Sequence, residues 1–188
     1  MLNLSDGMLL YHGSYTQVSA IDLSMCKKGK DFGKGFYLTS SYEQAKQFVK
    51  LSIKRENKAG IVKADQNSGF VSVFKLNLTP TINSFLFTGA TREWLHFVAS
   101  NRRTDLFNNL SKTMSQYDII GGKIANDRTA QTLQLYISGA YGEPGSEMAD
   151  NIAIMILLPN RLEDQFCFRT LTAVNALEFI RGDECYVG

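Results

Sequence analysis

The sequence predicts an α+β fold with a split, largely antiparallel β-sheet. Stretches rich in β-branched and aromatic residues lie far apart, around 8–12, 70–78 and 164–170. The helical patterns between them do not alternate with strands in the regular way that produces a parallel sheet. With 188 residues, 44% of them hydrophobic, the chain can bury a full core, and no repeat or linker divides it. We therefore predict a single domain over residues 1–188.

The first half of the chain is predicted to contain two strands, a strand edge and one helix. The strands cover 8–12 and 70–78, the edge covers 36–38, and the helix covers 41–55. Ser40 and Glu43 have the spacing of a capping box, so Ser40 is expected to be the helix N-cap. The buried stripe of this helix is expected to consist of Ala45, Phe48, Val49 and Ile53.

The second half is predicted to contain five helices and three strands. The helices cover about 91–101, 104–114, 129–138, 147–158 and 171–181. The strands begin near 117, cover 164–170, and lie near 184–187. Trp94 is expected in the core and His96 on the outer side of its helix, while Thr129 is expected to cap the third helix.

Composition argues against several classes of function. Twenty basic against 18 acidic residues give a net charge of +2, too mild for nucleic-acid binding as the main role. Three unpaired cysteines and two histidines do not assemble a zinc site, so we expect free thiols and no metal. The N-terminus lacks the pattern of a signal peptide, and the longest apolar run, 152–158, is too short to cross a bilayer. We expect a cytoplasmic protein without a membrane partner.

Two motifs in the first 50 residues carry the functional prediction. The first is Leu-Tyr-His-Gly-Ser at 10–14, and the second, at 31–41, contains Gly-Lys-Gly-Phe-Tyr at 33–37. In this order they resemble the histidine and tyrosine blocks of diphtheria-toxin-like ADP-ribosyltransferases and poly(ADP-ribose) polymerases, which bind NAD. Within that superfamily the chain is similar to a bacterial group of small stand-alone transferase-like domains. The resemblance implies the superfamily's split antiparallel sheet.

The resemblance also implies the contacts to NAD. His12 matches the histidine that contacts the adenosine ribose, and Gly13 matches the glycine whose backbone binds the nicotinamide amide. Nicotinamide in NAD is a flat cation that two aromatic faces hold, with a cation–π attraction of ~0.5–2 kcal/mol. Tyr37 and Phe48 match these faces, although Phe48 fits a core position at helical spacing equally well. The predicted NAD-binding set is completed by Ser14, Gly35 and Arg128.

The third part of the site departs from the family pattern. Active members place a Glu at the start of a late strand, where it bonds the nicotinamide ribose and stabilises the oxocarbenium ion. Gln165 occupies that place here and, with Tyr37, forms the predicted catalytic pair. A carboxylate–cation attraction at ~4 Å is worth about 4 kcal/mol at a dielectric of ~20, so losing most of it slows transfer about a thousandfold. Glu163, expected on the same strand face, is a second candidate or an ordinary exposed acid.

Two further features have a plain and a functional interpretation. Four lysines between the motifs form what we call the basic loop: Lys27, Lys28, Lys30 and Lys34. Solvation explains such a loop, and attraction of the NAD pyrophosphate or of an acidic target is the alternative. Arg128 is either a turn residue or a planar fork that binds phosphate or a substrate carboxylate.

The resemblance implies a mono-ADP-ribosyltransferase that uses NAD as co-substrate. The acceptor is open among proteins, nucleic acids and small molecules, and many bacterial relatives are toxins or effectors held in check by an antitoxin-type partner. Three alternatives remain. The uncharged Gln165 supports a module that binds NAD or ADP-ribose without chemistry; the others are an NAD glycohydrolase and a structural or interaction domain in which His12 and Tyr37 are packing residues.

Overall fold

The computed structural model describes residues 2–124, 127–157 and 163–187. A three-stranded antiparallel sheet has the order β1-β3-β7, with β1 (Leu9–Ser14), β3 (Ser68–Leu76) and β7 (Leu177–Tyr186). A four-stranded sheet has the order β2-β6-β5-β4, with β2 (Phe36–Leu38), β4 (Ser84–Leu86), β5 (Ile119–Lys123) and β6 (Asp164–Phe168). Among the described strands only β4 and β5 pair in parallel, so the predicted α+β fold with a split, largely antiparallel sheet is confirmed.

Six α-helices flank the sheets within the described ranges. They are α1 (Tyr42–Lys58), α2 (Arg92–Arg102), α3 (Asn108–Thr113), α4 (Asp127–Ile137), α5 (Glu147–Leu157) and α6 (Leu171–Asn175). Short 3-10 turns cover Leu23–Met25 and Met114–Gln116. None of these helices is both long enough and apolar enough to cross a membrane.

The core lies on both faces of β6, because side chains alternate along a strand. Phe166 and Phe168 pack between the two sheets with Phe74 of β3. Cys167 points the other way and packs with Trp94, beneath the helices α2, α4 and α5. Both groups are fully buried, which explains why β6 is almost continuously hydrophobic after its first two residues.

Helix α1 covers the outer face of the three-stranded sheet. Ala45, Val49 and Ile53 are buried as predicted, against Val71 and Val73 of β3. The N-cap is Ser41 rather than Ser40: the Ser41 hydroxyl accepts a hydrogen bond from Gln44 N at 3.2 Å. The prediction was therefore wrong by one residue, since the Ser-Ser pair offers two candidate caps and the chain uses the second.

Four predicted elements differ from the structure. The helix predicted at 171–181 ends at Asn175, and β7 takes over from Leu177 because residues 177–186 pair with the whole of β3. The strand predicted near 184–187 is only the end of this longer strand. The helix predicted at 104–114 begins at Asn108, after Phe107 adopts a left-handed φ of 51°. Helix α4 already begins at Asp127, so Thr129 lies within it instead of capping it.

His96 lies inward, contrary to the prediction for α2. Its ring stacks on Phe107 with a centroid distance of 4.1 Å, and its Nε2–H donates to Asp150 Oδ2 at 2.8 Å. Asp150 is fully buried and also pairs with Arg92 and accepts from the Tyr136 hydroxyl. The inward position of His96 is therefore explained by a buried carboxylate on α5, which the hydrophobic pattern of α2 alone does not reveal. Trp94, on the same helix, is fully buried as predicted.

Candidate functional site

The two sequence motifs meet where β1 contacts β2. Tyr11 N–H donates to Thr39 O at 2.9 Å, and Thr39 N–H donates to Tyr11 O at 3.0 Å. This bridge places His12 beside Tyr37, whose carbonyl oxygen lies 2.8 Å from His12 Nδ1. Residues 25 positions apart in the chain are thereby brought into direct contact.

His12 is held as a neutral imidazole. A carbonyl oxygen only accepts, so Nδ1 carries the proton that bonds Tyr37 O, and Nε2 is left as an acceptor. Burial lowers the pKa of His12, the nearby Arg55 charge lowers it further, and the bond to Tyr37 opposes both. The ring packs on Phe36 at 4.4 Å, which fixes its plane. An acceptor nitrogen of this kind can bind a ribose hydroxyl.

The backbone of Gly13 faces an open stretch of the β1 edge. Backbone groups of a strand alternate between its two sides, so the N–H and C=O of Gly13 point the same way as those of Tyr11, away from β3. On that side Tyr11 is bonded by Thr39, and Tyr15 N–H donates to Ser52 Oγ at 3.2 Å. Gly13 lies between these two anchors, across from Tyr37 in the antiparallel register that the Tyr11–Thr39 bridge sets, and among the described residues no backbone hydrogen bond joins Gly13 to Tyr37. Its donor and acceptor are therefore positioned to bind a planar amide.

Gly13 must be a glycine because α1 approaches it closely. A Cβ at this position would overlap the carbonyl oxygen of Ala45 and lie 3.0 Å from Phe48 Cβ. The contact brings Phe48 next to the backbone that the resemblance assigns to nicotinamide. Phe48 is half-buried, whereas Ala45 and Val49 beside it are fully buried. Phe48 thus lies at the border of the α1 core, and its role as a wall of the site stays a prediction.

Tyr37 anchors the glycine-rich loop. Its hydroxyl accepts from Phe32 N–H at 3.0 Å and donates to Gly33 O at 2.7 Å. Burial is the main reason why the pKa of Tyr37 is raised far above its ordinary value. The hydroxyl is therefore fully engaged by the protein, and the ring face is what the residue has left to offer a ligand.

Gln165 lies on the same side of the four-stranded sheet as Tyr37. Cys167 pairs with Tyr37 across β2 and β6, and Gln165, two residues earlier, points to the same face. Gln165 is 7% exposed, and its Nε2 donates to Asp31 Oδ2 at 3.2 Å. Asp31 Oδ1 accepts in turn from Arg102, at 3.0 Å from Nε and 2.6 Å from Nη2.

Asp31 and Arg102 are functional candidates that the sequence argument missed. Asp31 directly precedes the Phe-Gly-Lys-Gly block, so its position was visible as a carboxylate next to the motif. Its partners were not visible, because Arg102 lies 71 residues away and Gln165 lies 134 residues away. The carboxylate absent from position 165 is thus present one hydrogen bond away.

Glu163 was expected on the Gln165 strand, but it directly precedes β6. Gln44 of α1, with its amide turned so that both of its polar atoms are satisfied, donates from nitrogen to Glu163 Oε2 at 3.3 Å and to Asp164 O at 3.2 Å. Glu163 is exposed and reaches the first turn of α1, near the β1–β2 bridge. It therefore remains an accessible acid close to the site.

The remaining predicted contacts are less open to a ligand. Ser14 is buried at the end of β1, opposite Phe70. Gly35 packs against β6: a Cβ there would lie 2.5 Å from Cys167 Sγ and 2.6 Å from Phe168 O. Close strand packing therefore accounts for this glycine. The Arg128 side chain lies outside the described residues, although its backbone belongs to α4.

Positive charge gathers between the basic loop and the end of α1. Burial lowers the pKa of Lys30, and repulsion by the nearby Arg55 charge lowers it further. Glu56 has a lowered pKa, chiefly because Arg55 Nε donates to its Oε1 at 2.7 Å. Arg55, which also lowers the pKa of His12, links this basic region to the candidate site.

Two surface clefts lie outside the predicted nicotinamide position. One, of about 440 Å³, is lined by Gly29, Arg102, Arg103, Gln134, Ile137 and Ser138. The other, of about 360 Å³, lies between the β4 end and the start of α2. His12 and Tyr37 line neither cleft. In the described ranges no group of three His, Cys, Asp or Glu side chains is arranged to bind a metal.

Comparison with known proteins places the chain in a family. No curated protein matches it. A family described as "Protein of unknown function (DUF3990)" matches residues 8–179, which include β1, both motifs and the Gln165 strand. The match covers most of the 188 residues, and the family description assigns no activity. The chain belongs to the DUF3990 family.

Proposed function

We propose that this protein is a mono-ADP-ribosyltransferase that moves ADP-ribose from NAD to an acceptor and releases nicotinamide. The observation that carries the proposal is the open edge of β1 at Gly13, bordered by Tyr11–Thr39 and Tyr15–Ser52. It offers one backbone donor and one acceptor to a carboxamide, next to Phe48. A carboxamide carried on an aromatic ring can use both this pair and the adjacent aromatic face, and nicotinamide is such a group.

The surrounding residues suit the rest of NAD. His12 Nε2, neutral and free to accept, faces a ribose hydroxyl in this proposal, and the Tyr37 ring supplies the second aromatic face. Gln165, near the start of β6, is the ribose-orienting residue. Lys30 and Arg55 lie where the diphosphate charge would be attracted.

The reaction replaces one bond at the ribose C1′ carbon with another. The C1′–N bond to nicotinamide breaks, and its electron pair leaves with the now neutral nicotinamide. The oxocarbenium-like centre then takes an electron pair from the acceptor, which loses a proton to solvent. An uncharged Gln165 stabilises this centre less than a carboxylate would, so slow turnover is expected.

The test is incubation of the pure protein with NAD labelled in its adenosine part, with and without cell lysate, following nicotinamide release and label transfer. We expect both with the wild type, and neither with Tyr37→Ala. Tyr186→Ala, on the far strand of the three-stranded sheet and 73% exposed, is the matched aromatic control and should behave as wild type. Binding of NAD without nicotinamide release under any condition would contradict the transferase proposal.

A module that binds NAD without chemistry is the second candidate. The lack of charge on Gln165 and its engagement with Asp31 favour it. It predicts equal affinity for NAD before and after long incubation and no nicotinamide in solution. Release of nicotinamide without lysate and without label transfer would instead identify an NAD glycohydrolase.

A further inference from the structure

The side chain of Gln165 is fixed by a pair that nothing in the sequence motifs requires. Asp31 Oδ2 accepts from its Nε2 at 3.2 Å, while Asp31 Oδ1 is taken by the Arg102 guanidinium. Since a carboxylate only accepts, the amide nitrogen must face Asp31 and the amide oxygen must face away. No hydrogen bond within the described residues reaches Gln165 Oε1. Since Oε1 is also not one of the fully buried polar atoms that lack a partner, within these residues it is an acceptor that a ligand can reach.

Asp31 itself is held in place from several directions. Asn101 Nδ2 donates to Asp31 O at 3.1 Å, and the Tyr37 hydroxyl binds the next two residues of the loop. Arg102 and Asn101 both belong to the last turn of α2, which is anchored in the core by Trp94 and Phe97. These contacts hold the backbone at Asp31, while Arg102 holds the Asp31 carboxylate beside Gln165.

We propose that Asp31, held by Arg102, is a positioning residue that presents Gln165 Oε1 as the acceptor for a hydroxyl of the nicotinamide ribose. The inference rests on the proposed function. It assigns to the loop carboxylate two effects on the reaction: it selects which amide atom faces the ribose, and its charge increases the electron density on that oxygen.

The test is a swap of chemical groups between the two positions. Asp31→Asn removes the charge and lets its own amide donate to Gln165, which turns the Gln165 nitrogen toward the ribose. We expect nicotinamide release to fall about 10–100-fold in kcat, as for other orienting partners, with the KM for NAD changed less than about threefold. Asp105→Asn is the matched control, since Asp105 also pairs with an arginine, Arg103, but is exposed and makes no hydrogen bond to Gln165 among the described residues.

The double variant Asp31→Asn with Gln165→Glu restores an acceptor at position 165 and a donor at position 31. We expect it to regain activity lost in Asp31→Asn. Gln165→Glu alone places two carboxylates in contact, so one must hold a proton, and its activity should rise as pH falls. A purely structural role of Asp31 would give neither the rescue nor this pH dependence.

The outcomes separate the two proposals. A wild type that neither binds NAD nor releases nicotinamide removes the proposed function and the inference with it. An active wild type matched in kcat by a folded Asp31→Asn variant overturns the inference alone. Should Asp31→Asn not fold, Arg102→Gln removes the guanidinium that binds Asp31 Oδ1 instead. The inference then requires lower kcat with unchanged KM, and wild-type kcat refutes it.

Discussion

Substitution of Gly13 by Ala tests whether α1 packs directly on the face of β1. The new methyl group would overlap the Ala45 carbonyl oxygen and touch Phe48. Overpacking costs about 1–3 kcal/mol, and here the obstacle is the backbone of a 17-residue helix that cannot rotate aside. We take the upper end, about 3 kcal/mol. At about 2–4 °C per kcal/mol for a chain of this size, the Tm should fall by roughly 6–12 °C.

Gly89→Ala is the matched control, because a Cβ at Gly89 meets nothing within 4 Å. Its Tm should stay within about 2 °C of the wild type. Both proteins are measured by thermal unfolding followed by circular dichroism, in the same buffer. A Gly13→Ala protein as stable as Gly89→Ala would refute the close contact between α1 and β1, and with it the placement of Phe48 beside the Gly13 backbone.

Three further predictions concern the site. Tyr37→Ala should weaken NAD binding by roughly 1–3 kcal/mol in calorimetry, whereas Tyr186→Ala should leave it unchanged; equal losses would mean that the Tyr37 ring does not contact NAD. Burial lowers the folded-state pKa of His12, so the unfolded chain takes up the proton first and the free energy of unfolding should decline as pH falls below 6.5 toward the folded value. His12→Gln should flatten this part of the plot of stability against pH, and identical plots for the two proteins would show that His12 does not contribute. Replacing the four lysines of the basic loop by Ser should weaken NAD binding at low salt and reduce its salt dependence, whereas equal affinities at both salt concentrations would support a merely solvated loop.

Local patterns in the sequence predicted the elements that bear the motifs. The strand edge at 36–38, the α1 stripe and the Gln165 strand need only alternation and helical spacing. The structure contains both strands and buries Ala45, Val49 and Ile53 of the stripe, whereas Phe48 is half-buried. Local reasoning failed where a distant partner decides. Residues 177–181 have a helical pattern but pair with β3, whose backbone groups would otherwise be left without partners on that edge.

The candidate site shows the same division. The two motifs were predicted to contribute to one site, and the structure places His12 against Tyr37 and Gly13 beside Phe48. The partners of Gln165 were not predictable, because Asp31 and Arg102 reach it only through the way the loop folds onto α2. A buried charge is stabilised by partners that can be distant in the chain, and a single sequence does not show which residues those partners are.

The most direct measurement is the response of isotope-labelled glycine amides to NAD in solution NMR spectra. The chain has 15 glycines, of which Gly13 lies at the proposed nicotinamide amide and Gly139, Gly142 and Gly145 lie in the loop before α5. We predict that NAD shifts the Gly13 amide strongly, that ADP-ribose shifts it much less, and that the three loop glycines do not move. An unchanged Gly13 amide at saturating NAD would contradict the account.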